Sequence, residues 1–268
     1  MSLLGIASKV LAESLTSLYP VFVKNIGLPL EIQLWSRCFT YVIISMLFIN
    51  YRTIWNNLFS KMGLLLSLIT MMHIYTSYQG FLLLESGTAY TLFYLYPLFI
   101  IILSGEQFNP LLLFAMVGAF FLTGTFKQTA NRYGVVMIIL AALTEALIYF
   151  VVREIHTSNW HHIFISYIWG AIFLTFYYWN KLQIKNTTLN ISLSVLINGI
   201  IGAVGYWLRF YSMGVLTPLV YALLSYIGIV MAFIYGWWFN QEEITLYKVI
   251  GVICILIPNI ANVGFKNY

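Results

Sequence analysis

The sequence contains no aspartate, so its 8 acidic residues are all glutamates. Only 8% of its 268 residues are charged, against ~25% in ordinary soluble domains. That shortage excludes a typical soluble enzyme of this length. The two cysteines, Cys38 and Cys254, both fall inside apolar stretches. They suit packing rather than a disulfide framework or a metal site. His156, His161 and His162 lie near one connector but lack zinc spacing, and His73 reads as a packing histidine. No glycine-rich phosphate loop leads into a Lys-Ser/Thr pair, so direct ATP drive is not indicated. No nucleophile–base pair can be assembled from the spacing either, so the chain is not read as an enzyme and implies no cofactor. The net charge of +5 reflects scarce acids rather than a basic patch. It fits loops against anionic lipid, not nucleic-acid binding.

What the chain has is apolar length, with 61% of its residues hydrophobic. Ten stretches stand out, roughly 3–23, 31–50, 62–84, 88–104, 109–127, 133–153, 161–179, 190–213, 215–239 and 245–265. Each is about long enough to cross a bilayer as one helix. The runs lack period-2 alternation, which selects helices over a barrel. The remainder leaves only short connectors, the longest being Asn50 to Lys61 and Asn180 to Asn190. Gly27-Leu28-Pro29, Asn109-Pro110 and Thr217-Pro218 supply turn chemistry ahead of helices. The first stretch reads as a retained helix rather than a cleaved signal peptide. The expected fold is all-α and integral to the membrane, with ten transmembrane helices.

The first stretch has an echo near residues 135–152. Each carries a central glutamate, Glu13 or Glu145, and each is followed at once by a cation, Lys24 or Arg153. Asn50 and Asn180 close the second and seventh stretches, and Gly118 and Gly251 sit in the fifth and tenth. Two halves of five helices, residues 1–130 and 131–268, must run in opposite senses because five is odd. The expectation is therefore an inverted repeat, a plan common among secondary transporters. Connector charges show no positive-inside bias, but an even span count puts both termini on one side.

Further along, Arg37-Cys38-Phe39 resembles the Arg-Phe element of EamA-type members of the drug/metabolite transporter superfamily. Residues Tyr78 to Gly87 resemble that family's junction between the third and fourth helices. Tyr96-Pro97-Leu98-Phe99 is similar to its Pro-centred fourth helix, and Gly105-Glu106 with Gly118 to its Gly-Glu turn and fifth-helix glycine. Tyr221 to Tyr226 is similar in the second half, although Ile227 stands near where a proline often occurs and Gln241-Glu242-Glu243 lacks the glycine. The resemblance implies ten helices, cytoplasmic termini, a central cavity and alternating access for a small metabolite or drug.

An ionisable group at bilayer depth is costly and usually faces a cavity or a partner. Glu13 and Glu145 therefore read either as sites for a proton or a cationic substrate, or as acids paired with an internal arginine or hydroxyls. Thr16, Ser17 and Thr144 stand near enough for the latter. Arg209 in the eighth stretch reads equally as a clamp for a substrate carboxylate or phosphate and as the neutraliser of those glutamates. Arg37, about two turns into its helix, reads as snorkelling to the interface. Tyr90, Tyr94 and Tyr221, with Tyr75, Tyr78, Gln79, Tyr206 and Trp207, form aromatic belts. They suit either a cation-holding cavity or interfacial anchoring, and anchoring is preferred for Trp160, Trp179, Trp237 and Trp238. Pro97 reads as a hinge or a packing kink. Gly228, Ala232 and Gly236 form a small-residue stripe, read as packing or a dimer face. Two glycosylation sequons, at Asn186 and Asn190, are the kind that arise by chance.

These features point to a secondary transporter of a small polar, amine-bearing metabolite, such as an amino acid, a polyamine or an S-adenosylmethionine-like compound. It would work as a monomer or homodimer in the bilayer, with proton coupling open to it. The alternatives are an anionic substrate, a nucleotide-sugar or phosphorylated metabolite, held by Arg209, Lys24 and Arg153, or a non-transporting sensor or assembly protein.

Overall fold

The computed structural model describes residues 2–84, 89, 92–105, 110, 113–114, 116–118, 131–178, 189–240 and 246–264. Among them the regular structure is helical: α1 (Leu3–Thr16), α2 (Tyr19–Asn25), α3 (Leu30–Met46), α4 (Tyr51–Leu58), α5 (Lys61–Leu83), α6 (Tyr96–Ser104), α7 (Arg132–Glu154), α8 (Asn159–Tyr178), α9 (Leu189–Val215), α10 (Pro218–Ser225), α11 (Ile227–Asn240) and α12 (Leu246–Gly264). The helix ends follow local chemistry. Ser2, Asn50, Ser60, Asn131 and Thr217 cap their helices by accepting backbone N–H bonds. Such a cap is worth about 1 kcal/mol. Gly105 ends α6 at φ 67, where a side chain would be strained.

Three stretches read as single elements are broken. The first divides into α1 and α2 around Ser17 and Leu18. Pro20 has no N–H for the carbonyl four residues back, that of Thr16. The fourth has a turn at Tyr94 and Leu95 before α6, in which Pro97 is the second residue. The ninth breaks at Tyr226, between α10 and α11. The connector expected from Asn50 to Lys61 instead contains α4, set at 78° to α5. Ile54 and Leu58 are its buried face, and Tyr51 and Trp55 its exposed one. Of the ten expected spans, three are long and apolar enough among the described residues: Arg132–Glu154, Leu193–Val215 and Pro218–Phe239. The bent α4–α5 pair supplies a fourth. The fifth stretch, Trp179, Lys181, Lys185, Asn186 and Gln241 to Glu243 lie largely or wholly outside the described residues.

Polarity is distributed inside out. Lys9, Glu13, Arg37, His73, Glu145 and Arg209 are buried, whereas Leu47, Leu68, Phe173, Phe176 and Trp238 are exposed. An exterior of this kind needs a hydrocarbon solvent, and the chain is an integral membrane protein. The most extensive helix contacts join the first half to the second: α5 with α7, α1 with α9, and α3 with α8. Glycine permits close approach at the α5–α7 crossing. A Cβ on Gly80 of α5 would stand 2.8 Å from Ile138 Cδ1 of α7.

Candidate substrate cavity and its charged wall

Lys9 and Glu13 are four residues apart on α1, so they share a face. Lys9 Nζ lies 2.5 Å from Glu13 Oε1 and 3.5 Å from the centre of the Tyr221 ring. It also donates to the Tyr96 hydroxyl at 3.3 Å. Glu13 then accepts from Tyr94 at 3.2 Å and from Tyr96 at 3.1 Å. Residues two apart on a regular helix face away from each other. The turn at Tyr94 and Leu95 is what lets both hydroxyls reach one carboxylate.

Arg209 of α9 joins the two central glutamates. Its Nη2 donates to Glu13 Oε1 at 3.0 Å and to Thr16 Oγ1 at 3.2 Å, and its Nη1 donates to Glu145 Oε1 at 2.6 Å. His73 of α5 completes the group. Its Nδ1 donates to the Ala141 carbonyl at 3.1 Å, and its Nε2 lies 3.2 Å from the Tyr206 hydroxyl and 3.3 Å from Glu145 Oε2. A singly protonated ring thus accepts from Tyr206, and a doubly protonated one donates to Glu145. Two ammonium or guanidinium charges, Lys9 and Arg209, face two carboxylates, so this cluster is balanced.

In front of Arg209 lies a cavity of about 40 Å³, enough for a few waters. Its wall takes Thr16, Tyr19 and Arg37 from α1 to α3, His73, Ser77 and Phe81 from α5, Phe93 and Tyr94, and Tyr206 and Arg209 from α9. Residues of both halves therefore build it. Neither glutamate lines it, and of the two readings open to them it is the pairing with an internal arginine that the geometry displays. Arg209 and Tyr94 stand there instead, with Glu13 engaged from several sides and Glu145 held through Oε1 by Arg209.

Arg37 corrects a second expectation. It is 5% exposed and does not snorkel. It donates to the hydroxyls of Tyr19 and, at 3.1 Å, of Tyr167. The rings of Tyr19, Tyr41, Tyr78, Tyr167 and Tyr206 surround it, with centres 4.4 to 5.7 Å from the guanidinium carbon. Its helix packs on α8 and α9, which enclose a position that looks shallow along α3 alone.

Of the residues singled out in the sequence, Tyr94, Tyr206 and Arg209 line the cavity, and Glu13, Glu145 and Tyr221 stand in the cluster behind it. Tyr78 belongs to the ring around Arg37. Tyr75 is 43% exposed and points away. Gln79 is half-buried outside the cavity wall. Trp207 is also half-buried and outside it, with its ring centre 6.2 Å from that of Trp160 and 6.3 Å from that of Tyr211. Tyr90 lies outside the described residues. The stripe residue Gly228 turns inward, since a Cβ there would meet the Tyr94 hydroxyl at 1.7 Å. Sequence reading passed over Lys9 although its spacing to Glu13 was visible. Tyr19, Ser77 and Phe93 carried no signal of their own.

Residues 132–258 match the model of the EamA-like transporter family. A solved crystal structure of a protein is similar to this chain with a TM-score of 0.75 and 16% sequence identity, over 96% of each chain. At that identity the likeness shows the fold alone. No curated protein matches the sequence.

Proposed function

We propose, from the premise that residues 132–258 are EamA-like and of the drug/metabolite transporter superfamily, that this chain is a secondary transporter. It moves a small polar metabolite by alternating access between two inverted five-helix halves, with both termini cytoplasmic. The observation that carries this reading is the cavity walled by residues of both halves, with two arginines and a histidine among apolar neighbours. A space of about 40 Å³ is too small for a metabolite, so the halves would have to separate to admit one. The helix contacts support the two-fold relation. The contact of α5 with α7 is the counterpart of that of α1 with α9, and α3 meets its own counterpart α8.

An amine-bearing substrate has a ready-made site in the cluster of Glu13, Tyr94, Tyr96 and Tyr221. The chain's own Lys9 ammonium occupies that place, so an amine would have to displace it. The test is counterflow in proteoliposomes loaded in turn with unlabelled amino acids, polyamines, organic acids or phosphorylated compounds, with and without an imposed pH gradient. Saturable flux that one internal pool accelerates is expected. Flux equal to empty liposomes for every pool would favour a sensor or assembly role.

A further inference from the structure

Charge balance separates two parts of the cavity wall. Lys9 and Arg209 are matched by Glu13 and Glu145. Among the described residues no carboxylate forms an ion pair with Arg37. Its Nε is buried without a hydrogen-bond partner, as is that of Arg209, so the missing counter-charge is what sets Arg37 apart. A buried cation without an opposite charge is strongly unfavourable, and ring faces offset it only in part.

Arg37 also lines a second, smaller cavity, of about 10 Å³. Tyr19 and Arg37 belong to both walls, so together they divide the two spaces. In the second wall the Gln33 Oε1, Asn198 Oδ1 and Tyr41 hydroxyl oxygens are all buried without partners. Buried polar atoms of this kind ordinarily have a partner. Three of them belong to side chains that line one small space beside Arg37.

We propose that Arg37, at the junction of the two cavities, receives an acidic group of the transported solute, a carboxylate or a phosphate. The guanidinium offers a planar fork that matches either group with two parallel hydrogen bonds. The neighbouring Tyr41 hydroxyl would donate to one of its remaining oxygens, while the Gln33 and Asn198 amide oxygens, which can only accept, would take hydrogen bonds from water held beside it. The assignment rests on the transport reading for its role, but not for the binding event itself.

The test uses purified full-length protein in lipid nanodiscs and follows the melting temperature with acetate, inorganic phosphate or putrescine at about 50 mM, against chloride of equal ionic strength. A ligand that binds only the folded form raises that temperature. Acetate or phosphate should raise it by about 2 °C, and whichever acts identifies the group. Arg37→Gln should weaken the effect roughly 100-fold, as expected for loss of two charge-assisted bonds. Asn198→Asp keeps the shape and sets a carboxylate in the same small cavity. It should abolish the acid effect in a protein that melts no lower than the parent. Stabilisation of the parent by putrescine alone, or by none of the probes, would overturn the proposal. So would an acid effect that survives in Arg37→Gln. Counterflow with the parent protein tests transport separately, so intact flux with no acid effect would sink only this assignment.

Discussion

Arg209 and Arg37 line the same cavity and are almost wholly buried, yet their surroundings differ. Arg209 is shared between Glu13 and Glu145. Among the described residues, the partners of Arg37 are tyrosine hydroxyls and ring faces. The first arrangement ties α1, α7 and α9 together and brings its own counter-charges. The second lacks them, although both arginines have a buried Nε without a hydrogen-bond partner. A buried charge that the fold neutralises serves the fold, whereas one that the fold leaves unmatched is available to a solute.

The contrast can be broken at several points, and the largest effect should come at Arg209. Arg209→Met leaves two carboxylates without their shared partner and should cost about 3–5 kcal/mol, read as loss of folded protein in detergent. Next comes an asymmetry between the acids. Glu13→Gln disturbs four partners, Lys9, Arg209, Tyr94 and Tyr96, and should cost about 2–4 kcal/mol. Glu145→Gln disturbs Arg209 and His73 and should lower the melting temperature less. Two glycines sharpen the comparison further. A Cβ on Gly228 would meet the Tyr94 hydroxyl at 1.7 Å, and one on Gly202 the Tyr41 hydroxyl at 1.9 Å. Each alanine variant should cost about 1–3 kcal/mol from overpacking. Gly228→Ala acts on the balanced cluster and Gly202→Ala on the ring around Arg37, so acetate or phosphate binding should fall only in the latter. The smallest effect should be that of Arg37→Gln, which should stay within about 1 kcal/mol of the parent or above it. Melting curves in nanodiscs without added anion would measure it.

Much of the fold could be read in advance because apolar runs have the length of the bilayer core. The helix positions of α5, α7 and α9 follow from that alone. The break at Ser17 was harder, since Pro20 sits inside that run and hydropathy ignores its missing N–H, whereas the turn at Tyr94 lies just ahead of Pro97, the position read as a hinge or kink. Both central glutamates and Arg209 could be singled out because single charges in long apolar runs are costly, and their mutual pairing stood among the readings considered. The depth of Arg37 could not be read. It lies near a helix start, and the packing of α2, α5, α8 and α9 around α3 encloses it. Lys9 was hidden differently, as the near end of a salt bridge four residues long inside a stretch taken as apolar. The direction of each tyrosine depends on helix rotation, which explains why Tyr206 reaches the cavity and Tyr75 does not.

The central claim is a cavity that opens by turns to the two faces of the membrane. Ser77 lines that cavity and is 4% exposed. In a background with Cys38→Ala and Cys254→Ala, Ser77→Cys can be challenged in proteoliposomes with a membrane-impermeant maleimide, added from outside or trapped inside. Alternating access predicts labelling from either face. Labelling from one face alone, or from neither, would contradict it.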